Sequence, residues 1–129
     1  MRPLILHGHL FKNAGSTFDW SLRRCFEDSF LDHRDDESMR EGGNEFLKSL
    51  ILKNPGLIAI SSHVMPLMHS YPTGIKIIPI YFLRHPLLRV RSVYEFELRQ
   101  LPAITPGAIE AKNRSFGEYI AWRLDEKVG

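Results

Sequence analysis

Three short apolar runs along the chain predict buried strands. They cover residues 3–7, 57–60 and 76–83, and polar residues, glycine or proline follow each of them. The third run is continuously β-branched and aromatic, which fits a strand covered on both faces, as in a parallel sheet. Pro79 interrupts this run, and because proline lacks the ladder donor it favours a sheet edge or a bulge.

Four stretches carry apolar residues at helical spacing. The first begins at Ser16 or Thr17, either of which can cap a helix, and the second covers residues 44–53. The third covers about 86–101 and has a proline in its first turn, which suits a helix start. The last covers about 115–126 and begins with a capping serine. The chain therefore alternates between predicted strands and predicted helices.

The connecting segments complete the prediction of the fold. The acidic stretch that ends at Gly42 is expected to be a loop with a helical turn at most, and residues 102–113 are expected to be a loop. The helix over 86–101 is expected to bury a stripe that consists of Leu87, Val90, Tyr94, Leu98 and Leu101. Strands alternating with helices indicate an α/β protein with a parallel core, in one domain that covers 1–129.

Composition excludes several classes of protein. The chain has 129 residues, 43% hydrophobic and 25% charged, with a formal net charge of +2, which excludes low-complexity, collagen-like and coiled-coil proteins. No apolar run approaches the ~18–20 residues of a membrane span, and the N-terminal run is too short for a signal peptide. Cys25 is the single cysteine, which excludes an internal disulfide and fits a reducing compartment. We therefore expect a cytoplasmic protein that binds neither membrane nor nucleic acid.

A segment of small and polar residues joins the first predicted strand to the first predicted helix. Ala14 and Gly15 allow the backbone to approach a ligand closely, and amides at the helix start favour an anion. Lys12 adds a mobile cation, and Ser16 and Thr17 add hydroxyl donors. The segment is therefore a candidate cradle for phosphate or sulfate, or else an ordinary strand-to-helix turn with a surface lysine. It differs from the nucleotide P-loop because its lysine precedes the small residues.

A second constellation follows the third predicted strand. Arg84 lies at the carboxyl end of that strand and Ser92 lies two turns along the next helix. Ligands of open parallel sheets bind just beyond the carboxyl ends of strands, so two anion sites there would suit a ligand with phosphate groups at both ends. The alternative is a structural ion pair for Arg84 and a capping role for Ser92.

Together the two segments resemble a known enzyme family. The first, His9-Leu-Phe-Lys12-Asn-Ala-Gly15-Ser16-Thr17, resembles the His-Ile-Pro-Lys-Thr-Gly-Gly-Thr-Ser signature of the sulfotransferases that include the heparan sulfate 2-O- and 6-O-sulfotransferases. The second, Phe82-Leu-Arg84-His-Pro86-Leu-Leu-Arg89-Val-Arg-Ser92-Val-Tyr94, resembles that family's Phe-x-Arg-x-Pro-x-x-Arg-x-x-Ser-x-Tyr signature. The resemblance implies a P-loop-like three-layer fold and the use of 3′-phosphoadenosine 5′-phosphosulfate as sulfuryl donor, without a metal.

The resemblance also implies roles for individual residues. Arg84 and Ser92 would bind the 3′-phosphate, and His63 would act as the general base that activates a hydroxylated acceptor such as a glycan. Lys12 would neutralise charge on the departing 5′-phosphate. The loop that binds the 5′-phosphosulfate would consist of Lys12, Asn13, Ala14, Gly15, Ser16 and Thr17.

The chain departs from the family pattern in sequence and in length. Phe11, Asn13, Ala14 and His85 replace residues that are usual in the two signatures. The resemblance spans nearly the whole chain but only the N-terminal half to two-thirds of a family domain. We therefore expect a domain that is incomplete at its C-terminus and able to self-associate through exposed apolar surface.

Two alternatives stay open at the level of sequence. One is a small nucleotide kinase, which the absence of a Gly-Lys-Ser/Thr loop and of a clear Mg²⁺-holding aspartate disfavours. The other is a non-catalytic module that binds a nucleotide or another anion. A histidine metal site is not expected, because no two histidines are spaced i, i+3 or i, i+4 on one predicted helix.

Overall fold

The computed structural model describes residues 1–13, 15–68 and 70–125. The chain forms two compact units, Met1–Leu83 and Arg84–Gly129, and each is described by itself. The first contains the sheet and the second contains three helices. The organisation as one domain over 1–129 stays a prediction.

The first unit is an α/β structure. Its elements in chain order are β1 (Arg2–Gly8), α1 (Gly15–Phe26), a 3-10 turn (Glu27–Ser29), β2 (Phe30–His33), α2 (Asp36–Lys53), β3 (Ala59–Ser62) and β4 (Ile75–Tyr81). The four strands form one parallel sheet in the order β2-β3-β1-β4. The prediction of a small parallel sheet flanked by helices is therefore confirmed.

The residue pattern of β1 explains why helices lie on both faces of the sheet. Side chains alternate between the faces of a strand, so Leu4 and Leu6 point one way and His7 the other. Leu4 and Leu6 belong to the main apolar cluster together with Leu47 and other residues of α2. His7 instead contacts Phe18 of α1. The two helices therefore cover opposite faces of the central strand.

The acidic stretch departs from the prediction of a loop. β2 and the first half of α2 lie within it, and the Asp35 carboxylate caps α2 by accepting a hydrogen bond from the Ser38 amide at 3.1 Å. A kink at Gly43, whose φ is +51°, separates this half from the rest of α2. Capping and the burial of Met39 outweigh the charge of the segment, so the loop prediction was wrong here.

Pro79 lies where its chemistry allows it. β4 pairs with β1 alone and forms one edge of the sheet, which is where a residue without an amide donor costs least. None of the residues of β4 is fully buried, so the expectation of a strand covered on both faces was wrong. The apolar run is that of an edge strand.

The second unit consists of α3 (Pro86–Leu98), α4 (Pro106–Asn113) and α5 (Phe116–Leu124). Ser115 caps α5 as predicted, and the predicted end of that helix near residue 126 lies outside the described residues. Residues 102–113 were expected to be a loop, but Thr105 caps α4 and Pro106 occupies its first turn.

The buried stripe predicted for α3 was also wrong in part. Leu87 is 70% exposed, and Leu101 is 86% exposed and lies beyond the end of the helix. Tyr94 does pack inward, where its ring contacts those of Phe116 and Tyr119. The inward contacts of Tyr94 are therefore aromatic contacts with α5, and α3 has no continuous buried leucine stripe.

Candidate functional site

The loop between β1 and α1 makes a tight turn before the helix begins. The Asn13 amide donates to the Leu10 carbonyl at 3.2 Å, and Lys12 adopts a φ of +60°. This left-handed conformation is uncommon for a residue with a side chain and is often found at functional sites. Ala14 lies outside the described residues, and Gly15 is the first residue of α1.

The polar residues of this loop differ in their exposure. Asn13 is only 6% exposed, and its side-chain oxygen has no partner among the described residues. Lys12 is half-buried, whereas Ser16 and Thr17 are exposed in the first turn of α1. The loop thus presents two hydroxyls and the first amides of a helix at the carboxyl end of a central strand, as an anion cradle requires.

The register of the sheet brings three further side chains to the carboxyl ends of the strands, where this loop also lies. His33, Ser62 and Gly8 are the last residues of β2, β3 and β1 and lie in one row. The residues that directly follow them, Arg34, His63 and His9, therefore emerge side by side. The His9 amide donates to the Ser62 carbonyl at 2.9 Å, which ties the loop to the end of β3.

His9 lies between the start of α1 and His63. Its ring makes an edge contact with the ring of His63 at a centroid distance of 4.7 Å. A Cβ placed on Gly15 would overlap the Cδ2 atom of His9, so only glycine allows the ring to sit there. The candidate anion loop and the candidate base His63 are therefore joined through His9.

Asp19 of α1 is the centre of a polar network behind this edge. Its Oδ1 and Oδ2 atoms lie 2.7 Å from the Nδ1 atoms of His7 and His9, and Arg34 donates to Oδ2 at 3.2 Å. Burial alone would raise the pKa of Asp19, but hydrogen bonds from Ser61 and His7 and the neighbouring histidines outweigh it and lower the pKa. Asp19 is therefore a buried, ionised carboxylate with four donors.

His7 is a neutral part of the network. Its side chain is fully buried between Asp19 and the rings of Phe18 and Phe82. Burial lowers its pKa, and the opposing effect of Asp19 does not reverse the shift. Its Nε2 atom has no partner among the described residues. We assign His7 to the support of Asp19, because no open surface reaches its ring.

His63, the base expected from sequence, is held by two charged groups. Arg34 donates from Nη1 to Nε2 of His63, and the Asp36 carboxylate lies 3.6 Å from Nδ1. Arg34 itself also pairs with Asp32, at 2.6 Å from Nε to Oδ1. The His63 side chain is 44% exposed. In this arrangement the lone pair of His63 Nε2 faces a guanidinium, which can only donate.

A cleft of about 200 Å³ opens beside the network. Its lining combines the anion loop with the end of β2 and one face of α1. The lining residues are His9, Ser16, Asp19, Trp20, Arg23, Asp32 and Arg34. The cleft therefore joins a hydroxyl of the loop to one histidine and two ion-paired arginines.

Arg84 and Ser92, the residues expected to hold a 3′-phosphate, belong to the second unit. Arg84 is exposed two residues before α3 begins, and Ser92 is partly buried in the middle of that helix. Lys12 and its loop belong to the first unit. Convergence of the two groups on one nucleotide stays a prediction.

The sequence alone did not single out Asp19 or Arg34. Asp19 could have been noticed as an acid at a buried position of α1, next to Phe18 and opposite a strand that contains His7 and is followed by His9. Arg34 could be placed at the site only once β2, which directly precedes it, was located. The acidic composition of this segment gave no sign of a strand.

Neither a cluster of metal-ligating side chains nor a membrane-spanning helix is found in the part of the chain that the structure describes. There, no group of three or more histidine, cysteine or acidic side chains is arranged to hold a metal ion. Likewise, none of the helices in residues 1–13, 15–68 and 70–125 is both long and apolar enough to span a bilayer.

Comparison with known proteins gives one relative without an assigned function. No family model matches the chain. An uncharacterized protein of Archaeoglobus fulgidus is 38% identical over 129 aligned positions, which cover 95% of this chain and 50% of the relative. The chain thus spans about half the length of the curated relative that it matches. No solved structure matches.

Proposed function

We propose that the chain binds 3′-phosphoadenosine 5′-phosphosulfate and transfers its sulfuryl group to a hydroxyl acceptor, as the resemblance to sulfotransferases implies. One observation carries the proposal. The loop that contains Lys12 leads from a central parallel strand into α1. It lies at the carboxyl ends of the strands, together with two histidines and a cleft. The P-loop-like character of the fold and its incompleteness at the C-terminus are part of the same proposal.

The loop supplies the groups that an anionic donor needs. Its left-handed backbone at Lys12 turns the chain sharply before the first amides of α1, and those amides and the helix dipole favour a phosphosulfate. Ser16 and Thr17 are exposed and able to donate. Arg84 and Ser92 are proposed to bind the 3′-phosphate, which separates this donor from ATP-like nucleotides.

The chemistry resembles phosphoryl transfer, in which positioning and charge stabilisation dominate. The acceptor hydroxyl gives up its proton and its oxygen attacks sulfur, while the bond between sulfur and the bridging phosphate oxygen breaks. Lys12 neutralises the charge that develops on the bridging oxygen. The general base expected from sequence is His63, and this role stays a prediction. A glycan acceptor and a cytoplasmic location also stay predictions.

Calorimetric titration tests the donor site. We expect 3′-phosphoadenosine 5′-phosphate to bind more tightly than ATP, and Lys12→Met to weaken it by roughly 10- to 100-fold, because a hydrogen bond to a charged group contributes about 1.5–3 kcal/mol. Lys53→Met is the matched control, because Lys53 is exposed at the end of α2 and should leave affinity unchanged.

Three results separate the alternatives. Tighter binding of ATP would contradict the proposal and favour a nucleotide kinase. Equal weakening by both lysine variants would mean that Lys12 makes no specific contact. Binding of the bisphosphorylated nucleotide without transfer of labelled sulfate to any hydroxylated acceptor would favour the non-catalytic module.

A further inference from the structure

We propose that His9, held by Asp19, is the group that takes the proton from the acceptor hydroxyl, and that Asp19 is its positioning residue. The inference rests on the proposed function, since it names the base of the same reaction. It differs from the expectation drawn from sequence, which gives that role to His63.

The hydrogen bonds of Asp19 fix which nitrogen of His9 carries the proton. Asp19 is ionised, so its oxygens only accept, and Nδ1 of His9 must be the donor at 2.7 Å. A neutral His9 ring then has its lone pair on Nε2. A buried carboxylate that orients an imidazole in this way also stabilises the cation formed when Nε2 takes a proton.

His63 has the opposite arrangement. Its Nε2 lone pair accepts from the guanidinium of Arg34, which has no unprotonated form to accept a proton in return. To act as a base at Nε2, His63 would first have to lose this partner. The carboxylate near its other nitrogen, on Asp36, is 3.6 Å away and belongs to a side chain that is 35% exposed. His63 therefore lacks the close, buried carboxylate that His9 has.

The surroundings of His9 hold its ring at the cleft. The side chain is 11% exposed and contacts Asp19, the start of α1 at Gly15 and the ring of His63. His9 lines the cleft together with Ser16, a hydroxyl of the proposed phosphosulfate loop, whereas the cleft lining does not include His63. An acceptor hydroxyl in this cleft would lie between the base and the bound donor.

The proposed step balances without any further reactant. The acceptor O–H bond breaks and its proton moves to Nε2 of His9, which becomes an imidazolium paired with Asp19. The acceptor oxygen forms a bond to sulfur, and the electron pair of the breaking sulfur–oxygen bond stays on the 5′-phosphate. The products are a sulfate ester and 3′-phosphoadenosine 5′-phosphate.

Transfer assays with two kinds of acceptor test this step. Methyl glycosides need a base, whereas 4-nitrophenol at pH 8 is already largely ionised. We expect His9→Gln to slow transfer to methyl glycosides by roughly 10²- to 10⁴-fold, to slow transfer to 4-nitrophenol by less than about fivefold, and to leave nucleotide affinity unchanged. His63→Gln should slow both acceptors to a similar and smaller extent. His33→Gln is the control, because the His33 ring packs against Phe46. We expect this variant to change the transfer rate for neither acceptor.

Several outcomes would overturn the proposal. One is an acceptor-selective loss in His63→Gln and not in His9→Gln, and another is an equal loss for both acceptors in His9→Gln, which would indicate a structural role. Absence of transfer in the unaltered chain that still binds 3′-phosphoadenosine 5′-phosphate would also overturn it, while leaving the donor site intact. Failure to bind that nucleotide would instead contradict the proposed function.

Nitrogen NMR of the histidine rings gives a readout that needs no turnover. We expect His9 in the unaltered chain to carry its proton on Nδ1, and Asp19→Asn to redistribute that proton toward Nε2. A proton found on Nε2 of His9 in the unaltered chain would overturn the proposal. Since Asp19→Asn removes a buried charge and could unfold the chain, the measurement on the unaltered protein decides alone.

Discussion

Each unit contains a carboxylate that accepts hydrogen bonds from several donors. The two clusters differ in whether the donor side chains keep a second nitrogen that can accept a proton. Asp19 in the first unit is bonded mainly to histidines and Arg34, at the wall of a cleft. Glu97 in the second unit accepts from the Tyr119 hydroxyl and, at 2.9 Å, from Arg123, which also donates to Tyr119 at 3.0 Å.

A proton-accepting nitrogen distinguishes a candidate catalytic site from a purely structural cluster. In the Glu97 cluster, the Tyr119 hydroxyl and the Nε and Nη2 groups of Arg123 donate hydrogen bonds to partners inside the cluster. A histidine that donates through one nitrogen keeps the other nitrogen available as a proton acceptor. The Asp19 cluster therefore retains chemical capacity that the Glu97 cluster lacks.

Removal of each carboxylate should have the largest effect and tests the difference in burial. We expect Asp19→Ala to cost about 3–5 kcal/mol, because it leaves buried donors and part of a cation unpaired. Glu97→Ala should cost only about 1–2 kcal/mol, since Arg123 is 44% exposed and water can replace its partner. Hydrogen exchange of the β1 amides reports the free energy of unfolding of the first unit, and exchange of the α5 amides reports that of the second. Equal losses would remove the contrast.

A methyl group at the start of α1 should have the next largest effect. Gly15→Ala places a Cβ against the ring of His9 and should cost about 1–3 kcal/mol by overpacking, while displacing that ring from Asp19. Gly56→Ala is the control, because a Cβ there would meet nothing within 4 Å. Denaturant unfolding of the two variants gives the comparison, and identical midpoints would mean that the ring yields without strain.

The pH dependence of stability should separate the two clusters with a smaller effect. Burial lowers the pKa of His7 below 6.5, so the folded chain binds fewer protons than the unfolded chain and stability falls as pH drops below 6.5. The lowered pKa of Asp19 continues this loss below pH 3.8.

The Glu97 cluster should respond at the other end of the scale. Burial and the bond to Glu97 raise the pKa of Tyr119 above 10.0, so stability is lost as pH rises through 10. Thermal unfolding measured across the pH range checks both the acid limb and the alkaline limb of the stability profile. Tyr119→Phe should flatten only the alkaline limb. His7→Gln removes the imidazole whose lowered pKa causes the loss of stability below pH 6.5, so it should flatten only the acid limb. A variant that flattens both limbs would show that the clusters are not independent.

The sequence predicted the parts of the fold that depend on local pattern. The apolar runs gave β1, β3 and β4 to within two residues, and Ser115 was recognised as a helix cap. β2 was missed because two of its four residues, Asp32 and His33, are polar and its segment is strongly acidic. Edge strands of this kind are decided by pairing with a neighbour, which no local pattern records.

The candidate site was predicted only where a motif is continuous in sequence. The loop from Lys12 to Thr17 is such a motif. The Asp19 network joins residues of β1, α1, β3 and the end of β2, so it becomes visible only when the register of the sheet is known. The proposal that His9 is the base also depends on that register.

The central claim is that the turn around Lys12 holds the 5′ end of a bisphosphorylated adenosine nucleotide. Amide NMR spectra recorded during titration with 3′-phosphoadenosine 5′-phosphate test it most directly. We expect the largest shifts at the amides of Gly15, Ser16 and Thr17, together with a change at the ring of His9. Saturable shifts confined to other parts of the chain, with these three amides unmoved, would contradict the account.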